Sequence, residues 1–119
     1  MHDEMATFVG HLLHSATVTH FQHWSTSSYA QHVALQAYYD GIVDLTDQLA
    51  EAYMGKYEKL TRFNVEFINS SDPVTYLSGI KGFVGDARQH LPDDSELQNL
   101  IDEIADLINT TLYKLRFLK

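Results

Sequence analysis

The chain has 119 residues and no cysteine, and sixteen acidic against eight basic residues give it a formal net charge of −8. This charge disfavours binding to nucleic acid and would draw cations toward an acidic concavity. The lack of cysteine excludes disulfides and thiolate zinc sites. No apolar run is long enough to span a membrane, and residues 1–4 lack the basic segment of a secretory signal. We therefore expect one domain over residues 1–119 of a soluble cytoplasmic protein.

The first predicted helix covers residues 5–24. At about 100° per residue, one face carries most of its apolar side chains together with His20 and His23. His11, His14 and Val18 fall on the other side, where we expect exposure. The apolar residues of the inward face are Met5, Val9, Leu12, Leu13, Ala16 and Trp24.

Residues 25–28 are all serine or threonine, which are preferred at the N-cap of a helix. Ser27 or Ser28 is expected to cap a second helix over residues 29–54, with Gly55 as its stop. Because the turn is short, the two helices should be antiparallel neighbours. The apolar stripe of the second helix is Leu35, Tyr38, Ile42, Leu45 and Leu49.

Residues 56–72 form a predicted connection that is long for a plain loop, so we expect it either to cross the bundle or to carry function. Asp72 and Pro73 are an N-cap and a first helical residue, and they begin a third helix that runs to about residue 90. A fourth helix over residues 94–118 has a regular apolar pattern. The sequence therefore predicts an all-α fold, a four-helix bundle with a long connection between helices 2 and 3.

Three glycines of the third helix repeat at three-residue spacing. Each costs ~1 kcal/mol of helix propensity relative to alanine. Such a cost predicts close contact with a neighbouring helix, and a dynamic helix is the alternative. These residues are Gly79, Gly82 and Gly85.

Acidic side chains recur along one face of the second helix. Asp40 and Asp44 are one turn apart, and so are Asp47 and Glu51. Like charges at this spacing destabilise a helix by about 0.2–0.5 kcal/mol per pair unless something compensates. A bound cation would compensate, and so would solvent. A metal site and an ordinary solvated face are therefore both open.

Histidines supply the second kind of ligand. His20, His23 and His32 carry imidazole nitrogens, which together with carboxylate oxygens suit iron, with zinc or manganese as alternatives. A histidine on an apolar face can equally be hydrogen-bonded within the core. Ligands on the inward face of one helix and the outward face of the next cannot easily converge in one subunit. The pattern thus predicts a site across a two-fold interface.

The order of His20, His32, Asp47 and Glu51, separated by eleven, fourteen and three residues, resembles the ferroxidase motif of the Dps-like miniferritins in the ferritin superfamily. His23 and the tryptophan after it are similar to that family's His-Trp pair, so either His20 or His23 matches its first histidine. Compact versions of the pattern also resemble proteins encoded by tailed phages.

The resemblance implies a ferritin-like bundle that assembles as a homo-oligomer through two-fold contacts, and ultimately as a dodecamer. It implies a mono-iron or di-iron site between subunits, where Fe(II) is oxidised by peroxide or oxygen and iron is stored or detoxified. The ligands would be His20 or His23 with His32 on one chain, facing Asp47 and Glu51 on another.

Two features depart from that family's pattern. Its acid one turn after the second histidine falls on Gln36, although Asp40 stands one turn further on as a candidate ligand. The basic tail of the family is also missing, which argues against DNA protection. The alternative function is a non-catalytic ferritin-like bundle that serves as an acidic protein-interaction or structural module.

Overall fold

The computed structural model of the chain describes residues 2–119, and residue 1 of the predicted domain lies outside it. The helices are α1 (His2–Ser25), α2 (Tyr29–Lys56), α3 (Pro73–Ala87) and α4 (Ser95–Phe117), with a 3₁₀ turn over Arg88–His90. No strand occurs in residues 2–119, which confirms the predicted all-α class. Across that same range, no helix is long and apolar enough to cross a membrane.

Two of the helices begin where the sequence places their caps. The Ser28 hydroxyl accepts a hydrogen bond from the backbone N–H of Gln31 at 3.2 Å, at the start of α2. The Asp72 carboxylate accepts one from the backbone N–H of Thr75 at 3.3 Å, with Pro73 as the first residue of α3. Each cap satisfies a backbone donor that the helix itself leaves without a partner. Ser28, one of the two predicted caps, is confirmed.

The end of α2 is joined to the start of α4 through Asp94. The ammonium group of Lys56 lies 2.7 Å from one carboxylate oxygen of Asp94, and the Tyr57 hydroxyl donates to the other at 2.5 Å. These two hydrogen bonds, that of Lys56 first, lower the pKa of Asp94 below its ordinary 3.8. The helix continues through Gly55 and ends at Lys56, two residues beyond the predicted end at residue 54, so the prediction that Gly55 is its stop was wrong.

The core lies between the four helices, because α1 and α4 each pack against both α2 and α3. Tyr38 is fully buried there, and its hydroxyl lies 2.8 Å from that of Ser15. Ser15 donates its own hydrogen to the Leu12 carbonyl at 2.6 Å, so Tyr38 must donate to Ser15. Burial raises the pKa of Tyr38, which keeps this hydroxyl protonated.

Residues 57–72 cross the bundle by following α1 from its first half toward its end. Three contacts mark this route, joining Val65 to Gly10, Ile68 to His14 and Ser70 to Gln22. The connection therefore returns to the end of the bundle at which α2 begins. As a result α2 and α3 run in the same direction. Of the two alternatives for the connection, the crossing of the bundle is confirmed.

The connection also changes which face of α1 is buried. Val18, expected to be exposed, is buried, because it lies one turn from both His14 and Gln22, which the connection contacts. Trp24, expected to face inward, is 66% exposed, and Leu13 is exposed as well. With α2 on one side and the connection on the other, the buried arc of α1 is rotated away from the arc that apolar content alone predicts.

The three glycines of α3 do not mark a close helix contact. Gly79, Gly82 and Gly85 are exposed, and a Cβ atom built on any of them would meet no other atom within 4 Å in the part of the chain that the structure describes. The prediction of close packing there was wrong. The tight approach occurs instead at Gly10, where a Cβ would lie 2.5 Å from Cγ2 of Val65.

Candidate metal centre at the groove between the first two helices

His20 and Asp40 line one pocket in the groove between α1 and α2. The pocket has a volume of about 290 Å³, and its lining residues are Ala16, Thr17, His20, Tyr39, Asp40 and Val43. The half-buried ring of His20 stacks on Tyr39, with centroids 4.1 Å apart and ring planes 15° apart. An imidazole and a carboxylate thus share a small space that is open to solvent.

Tyr39 also lines the pocket, although it was not among the candidate site residues of the sequence. Burial first, and the negative charge of Asp40 second, raise the pKa of the Tyr39 hydroxyl above its ordinary 10.0. The phenol is therefore neutral at physiological pH and adds no charge to the pocket. Its neighbour Asp40 was already a candidate ligand in the sequence. The stacking of Tyr39 on His20, in contrast, depends on how α1 and α2 are aligned.

His23 and His32 form a reciprocal pair at the corner between the two helices. Nδ1 of His23 lies 2.6 Å from the carbonyl oxygen of His32, and Nδ1 of His32 lies 2.9 Å from the carbonyl oxygen of His23. The two rings stack with centroids 3.6 Å apart. His23 is only 6% exposed, which agrees with its predicted place on the inward face.

The pairing fixes the hydrogen positions of both rings. A carbonyl oxygen can only accept, so each Nδ1 must carry a hydrogen and donate it. In the neutral state Nε2 is then the basic nitrogen of each ring, and it is the atom that a metal would bind. His23 and His32 already hold the corner of α1 and α2 together, whereas His20 lines a pocket with a carboxylate.

Asp47 and Glu51 lie exposed further along α2. At 1.5 Å per residue, Asp47 is about 10 Å and Glu51 about 16 Å along the helix from Asp40, whereas metal–ligand distances are about 2.0–2.6 Å. Across residues 2–119, no three histidine, aspartate or glutamate side chains converge on a position for a metal ion. One chain therefore brings together His20 and Asp40, but not the whole predicted set.

A family model of unknown function, DUF5856, matches residues 23–115. The chain belongs to the DUF5856 family. The matched segment includes the four candidate ligands of α2, which are His32, Asp40, Asp47 and Glu51. His20 lies outside it. No curated protein and no solved structure matches the chain.

The pocket of this DUF5856 chain holds two side chains of the kinds that bind metal ions. His20 offers a nitrogen and Asp40 an anionic oxygen, a donor set that fits iron, zinc or manganese. Two ligands alone would leave the coordination of such an ion incomplete. Any further protein ligands would have to come from outside this pocket.

Proposed function

We propose that the chain binds Fe(II) at a site shared between two copies and oxidises it. The observation that carries the proposal is the pocket in which His20 and Asp40 lie together. Asp47 and Glu51 of the second copy would supply the further oxygen ligands. The proposal includes a cytoplasmic location. It also includes assembly into a closed shell of copies, which the resemblance to miniferritins implies is a dodecamer.

The donor set suits the chemistry of iron oxidation. Carboxylate oxygens are hard anionic ligands, and imidazole adds a borderline nitrogen that binds iron well. Bound Fe(II) would supply the electrons that peroxide or oxygen accepts. The protein's part is to hold the ion between fixed ligands, with His20 oriented by its stacking on Tyr39. The neutral phenol leaves the charge of Asp40 for the metal.

The path of the chain supports a ferritin-like bundle. Two antiparallel helical hairpins, α1–α2 and α3–α4, are joined by a connection that crosses from one end of the molecule to the other. A single long crossover of this kind is the connection found in ferritin-like bundles. It agrees with the order of His20, His32, Asp47 and Glu51, which resembles the miniferritin motif.

His23 and His32 have a different part in this proposal. Their Nδ1 atoms hold the corner next to the pocket, and the rings of His20 and His23 lie 5.7 Å apart. The pair thereby fixes the position of His20. His20, rather than His23, is the histidine of α1 that we assign as a metal ligand.

Anaerobic metal loading tests the proposal. The protein is incubated with Fe(II) without oxygen and desalted, and bound iron per chain is determined by elemental analysis. We expect stoichiometric iron, and Fe(III) absorbance on adding oxygen or peroxide. His20→Ala combined with Asp40→Asn should lower the bound iron at least about tenfold, because both ligands in the pocket are removed.

The matched control is the pair His90→Ala and Asp86→Asn, which removes the same two residue types at exposed positions. Asp86 lies near the end of α3, and His90 lies in the 3₁₀ turn that follows it. It should bind iron as the wild type does. Equal loss of iron in the control, or full loading and oxidation in the His20→Ala/Asp40→Asn variant, would remove the assignment of the site.

A second candidate function is a non-catalytic, acidic interaction module. The observation that favours it is a set of exposed rings, Tyr29, Tyr113 and Phe117, which are between 55% and 80% exposed and lie outside the pocket of His20 and Asp40. A wild-type chain that binds no iron and stays small in light scattering would support this module over the ferroxidase.

A further inference from the structure

A second groove lies between the start of α2 and the end of α4. Its volume is about 340 Å³, which is within the range of small-molecule sites. Six of the seven side chains that line it are apolar or aromatic, and the seventh is a lysine. The lining residues are Tyr29, Ala30, Val33, Ala34, Ala37, Lys114 and Leu118. None of them lines the pocket of His20 and Asp40.

Small side chains on α2 leave the space of this groove open. The antiparallel helices α2 and α4 approach closely at Gly41, where a Cβ would lie 3.0 Å from Cδ2 of Leu107. Toward the start of α2, alanines form one wall of the groove. Ala37 and Ala30 are seven residues apart, which is about 10 Å along the helix. The groove is thus a narrow apolar channel that suits a long, thin ligand.

The two helical segments that form the groove carry no acidic side chain. The chain holds sixteen acidic residues, but none of them lies within residues 29–39 or within residues 107–119. Three of its eight basic residues, in contrast, are Lys114, Arg116 and Lys119. Although the net charge of the chain is −8, the charged side chains of α4 beside the groove are all positive. The groove is therefore complementary to an anion.

Lys114 is the charged member of the lining. Its side chain is half-buried, and it takes part in none of the ion pairs within residues 2–119. It lies one turn before Leu118 on the same side of α4, so both side chains reach the groove. A lysine can lay its apolar stem along such a wall while its ammonium group stays at the mouth. An apolar channel thus ends beside a single cation.

We propose that this groove binds a fatty carboxylate. The alkyl chain lies along Ala30, Ala34 and Ala37, and the carboxylate pairs with the ammonium group of Lys114. Burial of the alkyl chain stabilises the complex in proportion to the apolar area that it covers, and the ion pair selects the headgroup. The inference goes beyond the proposed iron chemistry, and neither depends on the other.

The dimensions of the groove favour a small amphiphile over a protein. A protein interface of ordinary size buries about 800 Å² on each partner and contains about ten direct hydrogen bonds. This groove instead offers a space of small-molecule volume and one cation. A single alkyl chain with one anionic group matches both features.

Three probes of equal chain length test the proposal, namely decanoate, decylammonium and 1-decanol. Each is titrated into the purified chain at neutral pH by isothermal titration calorimetry, below the concentration at which it forms micelles. We expect one decanoate per chain. The dissociation constant of decylammonium should be at least about tenfold higher, because its charge repels Lys114. Decanol, which has no charge, should bind with intermediate affinity.

Substitutions at Lys114 separate the headgroup contact from the apolar one. Lys114→Gln should raise the dissociation constant of decanoate about tenfold and leave that of decanol unchanged. Lys114→Glu should reverse the preference, so that decylammonium binds more tightly than decanoate. The matched control is Lys59→Gln, which removes an exposed lysine of the connection. It should bind all three probes as the wild type does.

A substitution on α2 tests the channel itself. Ala37→Leu places a larger side chain in the groove at an exposed position, so far-UV circular dichroism should stay helical. The variant should bind decanoate and decanol at least about tenfold more weakly, because the alkyl chain loses its space. The His20→Ala/Asp40→Asn variant should bind decanoate as the wild type does, which keeps failure of the iron site distinct from failure of this inference.

Several outcomes would overturn the inference. They are equal affinity of the wild type for decanoate and decylammonium, an equal loss in Lys59→Gln, and a Lys114→Glu variant that still prefers decanoate. A wild type that binds none of the probes would also overturn it. If that protein had a two-chain mass in sedimentation equilibrium and Ala37→Leu dissociated it, the groove would belong to a second copy instead.

Discussion

Gly10 and Gly82 both lie within helices, but their surroundings differ. A Cβ on Gly10 would approach Cγ2 of Val65 to 2.5 Å, which is closer than two carbon atoms can pack. A Cβ on Gly82 would find no atom within 4 Å in the described part of the chain. At Gly10 the absence of a side chain lets the connection lie against α1, whereas Gly82 only adds backbone freedom.

Alanine at these two positions should change stability in opposite directions. We expect Gly82→Ala to raise the free energy of unfolding by up to ~1 kcal/mol, through helix propensity. Gly10→Ala should lower it by about 1–3 kcal/mol, because Val65 has to move. Urea unfolding at neutral pH measures both. Adding Val65→Ala to Gly10→Ala should restore most of the loss, and equal stabilisation by both alanines would contradict the packing at Gly10.

The residue types of the candidate site could be predicted from the sequence, but their contacts could not. Helical spacing indicated that Asp40, Asp47 and Glu51 share a face of α2, and the structure shows all three exposed there. Whether His20 or His23 accompanies an acid depends on how far α1 slides along α2. The corner between the helices sets that alignment, and the pairing of His23 with His32 is a tertiary contact with no local sequence signal.

At the scale of elements, Asp94 links two helices that are far apart in sequence. Its carboxylate accepts hydrogen bonds from Lys56 and Tyr57, where α2 ends and α4 begins. Its pKa is lowered in the folded chain, so the carboxylate form is favoured by folding. This contribution to stability is present above pH 3.8, the ordinary pKa, and is lost as pH falls through the lower pKa of the folded state.

Replacing Asp94 by asparagine should therefore destabilise the chain at neutral pH and much less in acid. The measurement is the unfolding free energy in urea from pH 7 down to below 3.8, the ordinary pKa of this carboxyl group. The difference between wild type and Asp94→Asn should shrink as pH falls through the folded pKa. Asp86→Asn, an exposed change on α3, is the control. A difference that stays constant with pH would contradict the role of the charge.

Local sequence signals predicted the elements well where they act over one or two turns. The Ser28 and Asp72 caps begin α2 and α3 as expected, and the apolar period of α4 matches its buried side. The buried face of α1 was predicted less well. Apolar content placed Trp24 inward and Val18 outward, but burial follows the neighbours of a helix, and here one neighbour is a connection that comes later in the chain.

At the scale of the whole molecule, a metal shared between copies should stabilise the folded chain. A ligand present at 100 times its dissociation constant contributes about 2.7 kcal/mol when it binds only the folded state. Mn(II) serves as a probe that oxygen does not readily consume. We expect its addition to raise the thermal midpoint of the wild type, in a manner that depends on protein concentration, and EDTA to reverse the rise.

The His20→Ala/Asp40→Asn variant provides the comparison for this measurement. It should show little or no rise in thermal midpoint with Mn(II), because the pocket no longer holds its two ligands. The His90→Ala/Asp86→Asn control should respond as the wild type does. If all three proteins gained the same stability, the ion would be acting at another acidic part of the surface.

The connection over residues 57–72 has a further consequence for how the chain can fold. Sixteen extended residues reach at most about 58 Å, and the longest dimension of the molecule is 44 Å. Were its contacts along α1 to open, the α3–α4 hairpin could pack on the α1–α2 hairpin of a neighbour and remake the same core. Refolding at high protein concentration should thus produce some domain-swapped dimers. A shorter connection would confine each chain to its own two hairpins.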